Sequence, residues 1–213
     1  PPELCEWPRR ETTRGGPRAH DSTRGPIPRA TKCLLLVHFC PGIVAILPIV
    51  RLRHAQAADL PEIVAIYNAS ISGRMATADT DPVSVEARAG WFAEFDPARR
   101  PLWVFEGDSG TLDAWLSVRS FYGRPAYHRT VELGVYTAPA ARRRGLGRRL
   151  VDHAVQQAPA LGIATLLAFV FGHNTPSLAL FAAAGFVGWG LLPSVAELDG
   201  VERDLVILGR RVG

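Results

Sequence analysis

Two glycines and a run of arginines lie between a predicted strand and a predicted helix. The arginines are Arg142, Arg143, Arg144, Arg148 and Arg149. Gly145 and Gly147 allow the backbone to approach a ligand closely. The first N–H groups of a helix are free to bind anions, and the helix dipole favours negative charge at that end. The alternative is a capped helix with a solvated basic face, since short glycine motifs also match by chance. The strand–loop–helix context therefore favours an anion site suited to a pyrophosphate.

Other chemistries have little support in the sequence. The three cysteines, Cys5, Cys33 and Cys40, all lie within the first 50 residues. The rest of the chain therefore cannot build a disulfide framework or a cysteine-based metal site. No cluster of His, Asp and Glu predicts a metal, so we expect none. No Ser-His-Asp set is present either, and we expect no covalent enzyme intermediate.

The basic charge is concentrated in the N-terminal segment. The formal net charge is +4, with seven Lys/Arg and four Asp/Glu in residues 1–50 but 17 and 16 in residues 51–213. A main domain so close to neutral has no electrostatic footprint for nucleic acid. We therefore expect no nucleic-acid partner.

From residue 50 onward the apolar pattern predicts an α/β fold. A helix begins at Asp59, with Asp59 as N-cap and Glu62 completing a capping-box-like pair. The remaining helices are predicted at Ser84–Phe95, at Leu146–Ala158 and at Pro176–Ala184, the last ended by Gly185. The predicted strands are Val50–Arg53, Leu102–Glu106, Thr111–Ser120, Thr130–Tyr136, Ile163–Val170, Phe186–Trp189 and Arg203–Leu208.

The first 48 residues are unlike the rest of the chain. Residues 1–32 are rich in Pro, Arg, Gly and Thr without apolar periodicity, which predicts disorder. Residues 33–50 are strongly apolar, which is typical of a signal or membrane segment, but His38, Pro41 and Pro48 interrupt the run. We expect residues 1–48 to be a disordered or non-native extension and residues 49–213 to form the domain, with no membrane partner. Because that domain lacks cysteine, we expect a cytoplasmic location.

Two motifs resemble those of a known family. Arg142–Gly147 resembles the (Q/R)-x-x-G-x-(G/A) signature of the GNAT acetyltransferases, and Asn174–Phe186 is similar to the N-x-x-S…LF…GF segment that follows it there. Tyr127–Tyr136 resembles the Y-x-x-T-x-E-x-x-V-Y run of the phosphinothricin and methionine sulfone N-acetyltransferases. The resemblance covers about residues 50–211. It implies the GNAT acyl-CoA N-acyltransferase fold, a central mixed, mostly antiparallel sheet flanked by helices.

The resemblance also implies roles for individual residues. Acetyl-CoA would be the co-substrate, with its acetyl and pantetheine arm along Val135, Tyr136 and Thr137 where the strands splay at a bulge. Its pyrophosphate would lie on Arg143, Arg144, Gly145, Leu146, Gly147 and Arg148. Asn174 would hydrogen-bond the pantetheine, although an N-cap role is the alternative.

Glu132 is the candidate general base, since an amine attacks a thioester only after it loses a proton. The alternative is a carboxylate that merely pairs with an arginine. Phe181 stands where phosphinothricin enzymes carry a His, and Phe cannot protonate the leaving thiolate. That thiolate would leave unassisted, or Tyr136 or water would serve, while Phe181 packs in the core.

The acceptor is expected to be a small amino-acid-like amine that attacks directly. Tyr122, Gly123 and Arg124 align with the residues that contact the acceptor in this subfamily, and Arg124 could clamp a substrate carboxylate. A solvated loop arginine is the alternative. Two other functions stay open, namely acetylation of a protein or peptide amine and a non-catalytic acyl-CoA-binding module. A homodimer is compatible with the sequence.

Overall fold

A computed structural model describes residues 51–108 and 110–213, so the expectations for residues 1–48 lie outside the described residues. The strands are β1 (Arg51–His54), β2 (Leu102–Glu106), β3 (Leu112–Ser120), β4 (Thr130–Thr137), β5 (Thr165–Phe171), β6 (Val187–Leu198) and β7 (Val201–Arg211). The α-helices are α1 (Leu60–Ile71), α2 (Val85–Ala93), α3 (Leu146–Gln157) and α4 (Thr175–Ala183).

The strands form one sheet in the order β1-β2-β3-β4-β5-β7-β6. Neighbouring strands are antiparallel except β4 and β5, which are parallel. The predicted mixed, mostly antiparallel sheet flanked by helices is therefore confirmed.

The two faces of the sheet carry separate cores. On one face, α3 and α4 pack through Leu150, Val151 and Phe181 against Leu116 and Val131 of the sheet. The opposite face is covered by α1, which packs with the aromatic side chains of α2 against β2 and β3. Because side chains alternate along a strand, β4 contributes Leu133 to the first core and Tyr136 to the second.

Strand β6 is longer than predicted. It runs from Val187 to Leu198, whereas the apolar pattern predicted a strand ending at Trp189. Register shifts interrupt its pairing with β7 between Gly188 and Gly190 and between Leu192 and Ala196. Such irregularities break the period-2 pattern on which the prediction depended.

The start of α1 differs from the predicted capping box. The Asp59 carboxylate does not cap the helix. It accepts two hydrogen bonds from Arg53, at 2.6 and 2.9 Å, and one from the Gln56 N–H at 2.7 Å. Glu62 instead accepts a hydrogen bond from the Leu112 N–H at 2.7 Å. The carboxylates at this end of α1 thus attach the helix to β1 and β3.

Candidate active site

The parallel strands β4 and β5 separate soon after they meet. Their pairing ends at Glu132 opposite Leu167, although β4 continues to Thr137 and β5 to Phe171. The pairing of β3 with β4 runs through Thr137 without a register shift, so the expected bulge is wrong for this pair. The gap arises because the β4–β5 ladder ends early.

Backbone groups of β4 face this gap. Ala138 donates to the Asp113 carbonyl at 2.8 Å, and Phe121 donates to the Thr130 carbonyl at 3.2 Å. These bonds show that even-numbered residues of β4 turn their backbone groups toward β3. The odd-numbered residues face the other way. The N–H groups of Val135 and Thr137 therefore point into the gap.

A groove of about 700 Å³ runs along the gap between β4 and β5, and residues of α3 and α4 form part of its lining. The predicted cofactor residues that line it are Val135, Tyr136, Thr137, Arg143, Gly145, Leu146, Gly147, Arg148 and Asn174. Gly145 begins α3 in the left-handed conformation, with φ +76°, and a Cβ there would meet open space. A Cβ on Gly147 would lie 2.9 Å from Leu180 Cδ1. The backbone at the start of α3 is thus open to a ligand.

The five arginines of this loop have different environments. Arg144 binds Asp113 at 2.9 Å and is the predicted cofactor residue that the groove lining lacks. Arg148 pairs with Asp152 at 2.7 Å, and the Arg149 guanidinium lies 4.7 Å from the centre of the Phe105 ring. Arg142 and Arg143 are exposed and line the groove, and their side chains have no hydrogen-bond partner within the described part of the chain. They are the arginines most available to an anion, and Arg142 was not among the predicted cofactor residues.

Asn174 is buried beside the groove, where its side chain is already hydrogen-bonded. Its amide nitrogen donates to the Met75 carbonyl at 2.8 Å, and its amide oxygen accepts from the Ser177 N–H at 3.1 Å. The N-cap alternative therefore describes its present bonding. Its contact with pantetheine stays a prediction.

Glu132 lies where the groove meets the opposite face of the sheet. A cavity of about 410 Å³ shares Val135, Tyr136 and Asn174 with the groove and also reaches Glu132. The Glu132 side chain is half-buried. Burial raises the pKa of this carboxyl, and the charge of Arg119 opposes that shift. Within residues 51–108 and 110–213 Glu132 forms no ion pair, and Arg119 acts on it through its charge alone.

An aromatic pocket adjoins Glu132 on the α1–α2 face. It has a volume of about 120 Å³, and its aromatic walls are Tyr67, Trp91, Trp115 and Tyr136. Arg88 also lines it, held by Asp79 at 3.0 Å with its guanidinium 4.4 Å from the Tyr67 ring centre. The sequence did not point to Arg88, because the pocket that it lines also takes residues from β3 and β4, which are distant along the chain. An amine bound in this pocket would lie beside the Glu132 carboxylate.

Tyr136 and Phe181 are the two side chains considered in relation to protonation of the leaving thiolate. The Tyr136 hydroxyl donates to the Ala76 carbonyl at 3.3 Å, and burial raises the pKa of this phenol. Phe181 is buried, with its ring 5.0 Å from that of Phe186. Phe181 therefore packs in the core, as expected.

The predicted acceptor loop lies only partly at the site. Tyr122 and Gly123 line a further cavity of about 460 Å³ together with Arg119 and Glu132, although Tyr122 is 77% exposed. The Arg124 side chain is exposed and lies outside the lining of the cavities that reach Glu132. Its predicted carboxylate contact has no counterpart in this geometry and stays a prediction.

Comparison with known proteins defines the class. Residues 63–186 match the acetyltransferase (GNAT) family, so the chain belongs to the GNAT acetyltransferase family. A Bacillus subtilis protein, YwnH, provisionally named a phosphinothricin acetyltransferase, is 50% identical over 161 residues, covering 76% of this chain and 98% of that protein. An L-methionine sulfoximine/L-methionine sulfone acetyltransferase of Pseudomonas aeruginosa is 29% identical, covering 74% of this chain and 91% of the enzyme.

A solved relative extends the comparison to structure. The crystal structure of a GNAT superfamily phosphinothricin acetyltransferase from Sinorhizobium meliloti in complex with AcCoA is 31% identical, with a TM-score of 0.73. The match covers 77% of this chain and 89% of that one. Within the described residues, no helix is long and apolar enough to cross a membrane.

Proposed function

We propose that this protein transfers the acetyl group of acetyl-CoA to the amino group of a small amino-acid-like acceptor, of the phosphinothricin or methionine sulfone type. The observation that carries the proposal is the position of Glu132. This half-buried carboxylate lies where the gap between β4 and β5 meets an aromatic pocket of about 120 Å³. Amine and thioester can therefore meet beside a base.

The groove has the properties that acetyl-CoA requires. Gly145 presents open backbone at the start of α3, and Arg142 and Arg143 add positive charge without a competing partner among the described residues. These groups suit a pyrophosphate. The groove is also lined there by Leu146, Gly147 and Arg148. The pantetheine arm would be bordered by Asn174, Val135 and Thr137. When bound, acetyl-CoA supplies an acetyl group activated as a thioester.

Residues of the site have separate roles in the acetyl transfer. Glu132 accepts a proton from the acceptor ammonium, directly or through water, and leaves a free amine. Burial helps this role because it raises the pKa of Glu132 toward that of a useful base. The N–H groups of Val135 and Thr137 face the gap and can donate hydrogen bonds to an oxyanion. Holding both reactants in this geometry supplies the rest of the rate gain.

A small acceptor fits the pocket better than a macromolecular one. Side chains from α1, α2, β3 and β4 line the pocket of about 120 Å³ beside Glu132, and this size suits a single amino-acid-sized group. A protein or peptide amine would have to extend beyond this pocket, into the adjoining cavity of about 460 Å³ that Tyr122 and Gly123 line. A non-catalytic binder would have no use for a carboxylate with a raised pKa beside the thioester position.

Product analysis tests the proposal. The full chain is incubated with acetyl-CoA and methionine sulfone, phosphinothricin or a peptide with a free N-terminus. Thiol release and the mass of the acetylated product are then measured. We expect acetylation of the amino acids and little of the peptide. Acetylation of the peptide alone would overturn the small-acceptor proposal, and acetyl-CoA binding without any product would leave a binder.

Two further proposals concern the whole chain. We propose that residues 49–213 form the catalytic domain without help from residues 1–48, which a truncated chain beginning at Ile49 tests by its acetyl-CoA affinity. Loss of that affinity in the truncated chain alone would contradict it. A cytoplasmic location also stays a prediction, which cell fractionation would test.

We also propose that the protein forms a homodimer through β6. This edge strand exposes Trp189, Leu191 and Val195, at 48%, 53% and 54%. A long apolar edge invites pairing with another chain, and a second copy offers the same edge in a self-complementary arrangement.

A further inference from the structure

Arg119 lies directly opposite Glu132 across the pairing of β3 and β4. Residues that face each other in this way have Cβ atoms about 5 Å apart, and their side chains leave the sheet on the same face. Arg119 also lines both the aromatic pocket and the cavity bordered by Tyr122 and Gly123. Its positive charge acts on Glu132 strongly enough to oppose the effect of burial on the pKa of that carboxyl.

The Arg119 guanidinium is available for a ligand. Within residues 51–108 and 110–213 it makes no hydrogen bond or ion pair, in contrast to the other arginines that line these two cavities. Arg88 is held by Asp79 and the Tyr67 ring. Arg100 donates to Ser120 Oγ and to the carbonyl groups of Arg99 and His128. Of the three arginines that line these two cavities, Arg119 alone has no donor engaged within the described residues.

The chemistry of an α-amino acid fixes where its carboxylate must lie. A single carbon atom separates the amino nitrogen from the carboxyl group, so an amine placed beside Glu132 brings its own carboxylate close to that residue. Two carboxylates so near each other repel unless a cation lies between or beside them. A guanidinium also matches a carboxylate in a bidentate pair.

We propose that Arg119 binds the carboxylate of the acceptor amino acid and thereby selects amino acids over simple amines. The proposal rests on the proposed function, because it assigns the acceptor to the pocket beside Glu132. It differs from the sequence-based expectation for Arg124, because both arginines are exposed but only Arg119 lines these cavities.

A comparison of two acceptors with four proteins tests the proposal. The acceptors are methionine sulfone and its carboxamide, which keeps the amine but lacks the negative charge. The proteins are the full-length wild type and the variants Arg119→Gln, Arg124→Gln and Arg129→Gln. Arg129 is an exposed arginine that lines none of the cavities at Glu132, so its variant controls for the change in net charge.

We expect Arg119→Gln to lower kcat/KM for methionine sulfone about 10- to 100-fold, the scale of a hydrogen-bonded charge pair. The value for the carboxamide should change less than about threefold, since the amide never had the charge to lose. Arg119→Lys should recover part of the loss, because it restores charge without the bidentate geometry. The Arg129→Gln control should match the wild type with both acceptors.

A binding measurement tests the contact between Arg119 and the carboxylate without relying on catalytic turnover. The desamino acid 4-(methylsulfonyl)butanoate carries the carboxylate but cannot react, and calorimetry with the CoA-saturated protein should show its binding lost in Arg119→Gln alone. Unchanged acetyl-CoA affinity in Arg119→Gln verifies that the variant is folded.

The experiments distinguish a wrong assignment of Arg119 from a wrong proposed function. An equal loss for the acid and the carboxamide in Arg119→Gln, or a selective loss in Arg124→Gln instead, would overturn the assignment of Arg119 while leaving the proposed function intact. A wild type that binds acetyl-CoA but acetylates neither compound nor any other amine would overturn the proposed function, and the assignment of Arg119 with it.

Discussion

Glu132 combines two requirements that conflict within one side chain. A base must be ionised to accept a proton, yet the burial that raises the pKa of Glu132 disfavours the ionised form. A pKa raised in the folded state means that the protonated carboxyl is the form favoured by folding. That contribution is complete below the unfolded pKa and is lost as pH rises through the folded pKa.

We therefore predict that Glu132→Gln stabilises the protein at neutral pH while it removes the base. The melting temperature at pH 7 should rise by about 1–3 °C, and the difference from wild type should disappear at about pH 3, where the glutamate is protonated in both states. Thermal unfolding at the two pH values is the measurement. A lower melting temperature at pH 7 would instead mean that a partner stabilises the ionised carboxylate.

At this scale the sequence motifs predict which residues lie near the groove but not the direction of each side chain, and the roles of these residues stay predictions. The motif placed Gly145, Gly147 and Asn174 at the groove, where the structure has them. It could not show that Arg144 turns away to Asp113, because that partner lies on β3, 31 residues earlier. Arg119 was missed for the same reason, since its importance comes from the register of β3 with β4.

Under the proposed function, acetyl-CoA binding depends on the connection from β4 to α3. Gly145 holds φ +76° there, and a side chain at this position would project into open space at the groove. We predict that Gly145→Val raises the dissociation constant of acetyl-CoA at least about tenfold, because the side chain occupies the space of the phosphates and the left-handed backbone is strained.

A second glycine separates these two causes. Gly162 has φ +70°, also faces open space and lies outside the groove lining, so Gly162→Val imposes similar backbone strain without placing a side chain in the groove. Calorimetric titration of both variants should show normal acetyl-CoA affinity for Gly162→Val. Equal weakening in the two variants would attribute the effect to general loss of structure.

At the level of elements, regular strands were predictable and irregular ones were not. Strand β4, which pairs with β3 without a register shift, runs from Thr130 to Thr137, one residue beyond its predicted end. Strand β6 carries Pro193 and a positive φ of 50° at Ser194, and these features hid its second half. The early separation of β4 and β5 is a tertiary property that no local pattern contains.

For the whole molecule, the apolar edge at β6 leads to a prediction about assembly. We predict that Leu191→Lys shifts the wild-type dimer toward monomer, raising the dissociation constant at least about tenfold, because a charge would be buried in a strand-edge interface. Light scattering across a concentration series measures the mass. A wild type that is monomeric at every concentration would contradict the homodimer.

A pH–rate profile tests most directly whether this site catalyses acetyl transfer with Glu132 as the base. With one accepted amino acid, wild-type kcat should rise with pH through the raised pKa of Glu132. Glu132→Gln should bind acetyl-CoA normally and turn over about a hundredfold more slowly at pH 7, with the deficit shrinking as the acceptor amine loses its own proton. Equal rates for the two proteins at pH 7 would contradict the account.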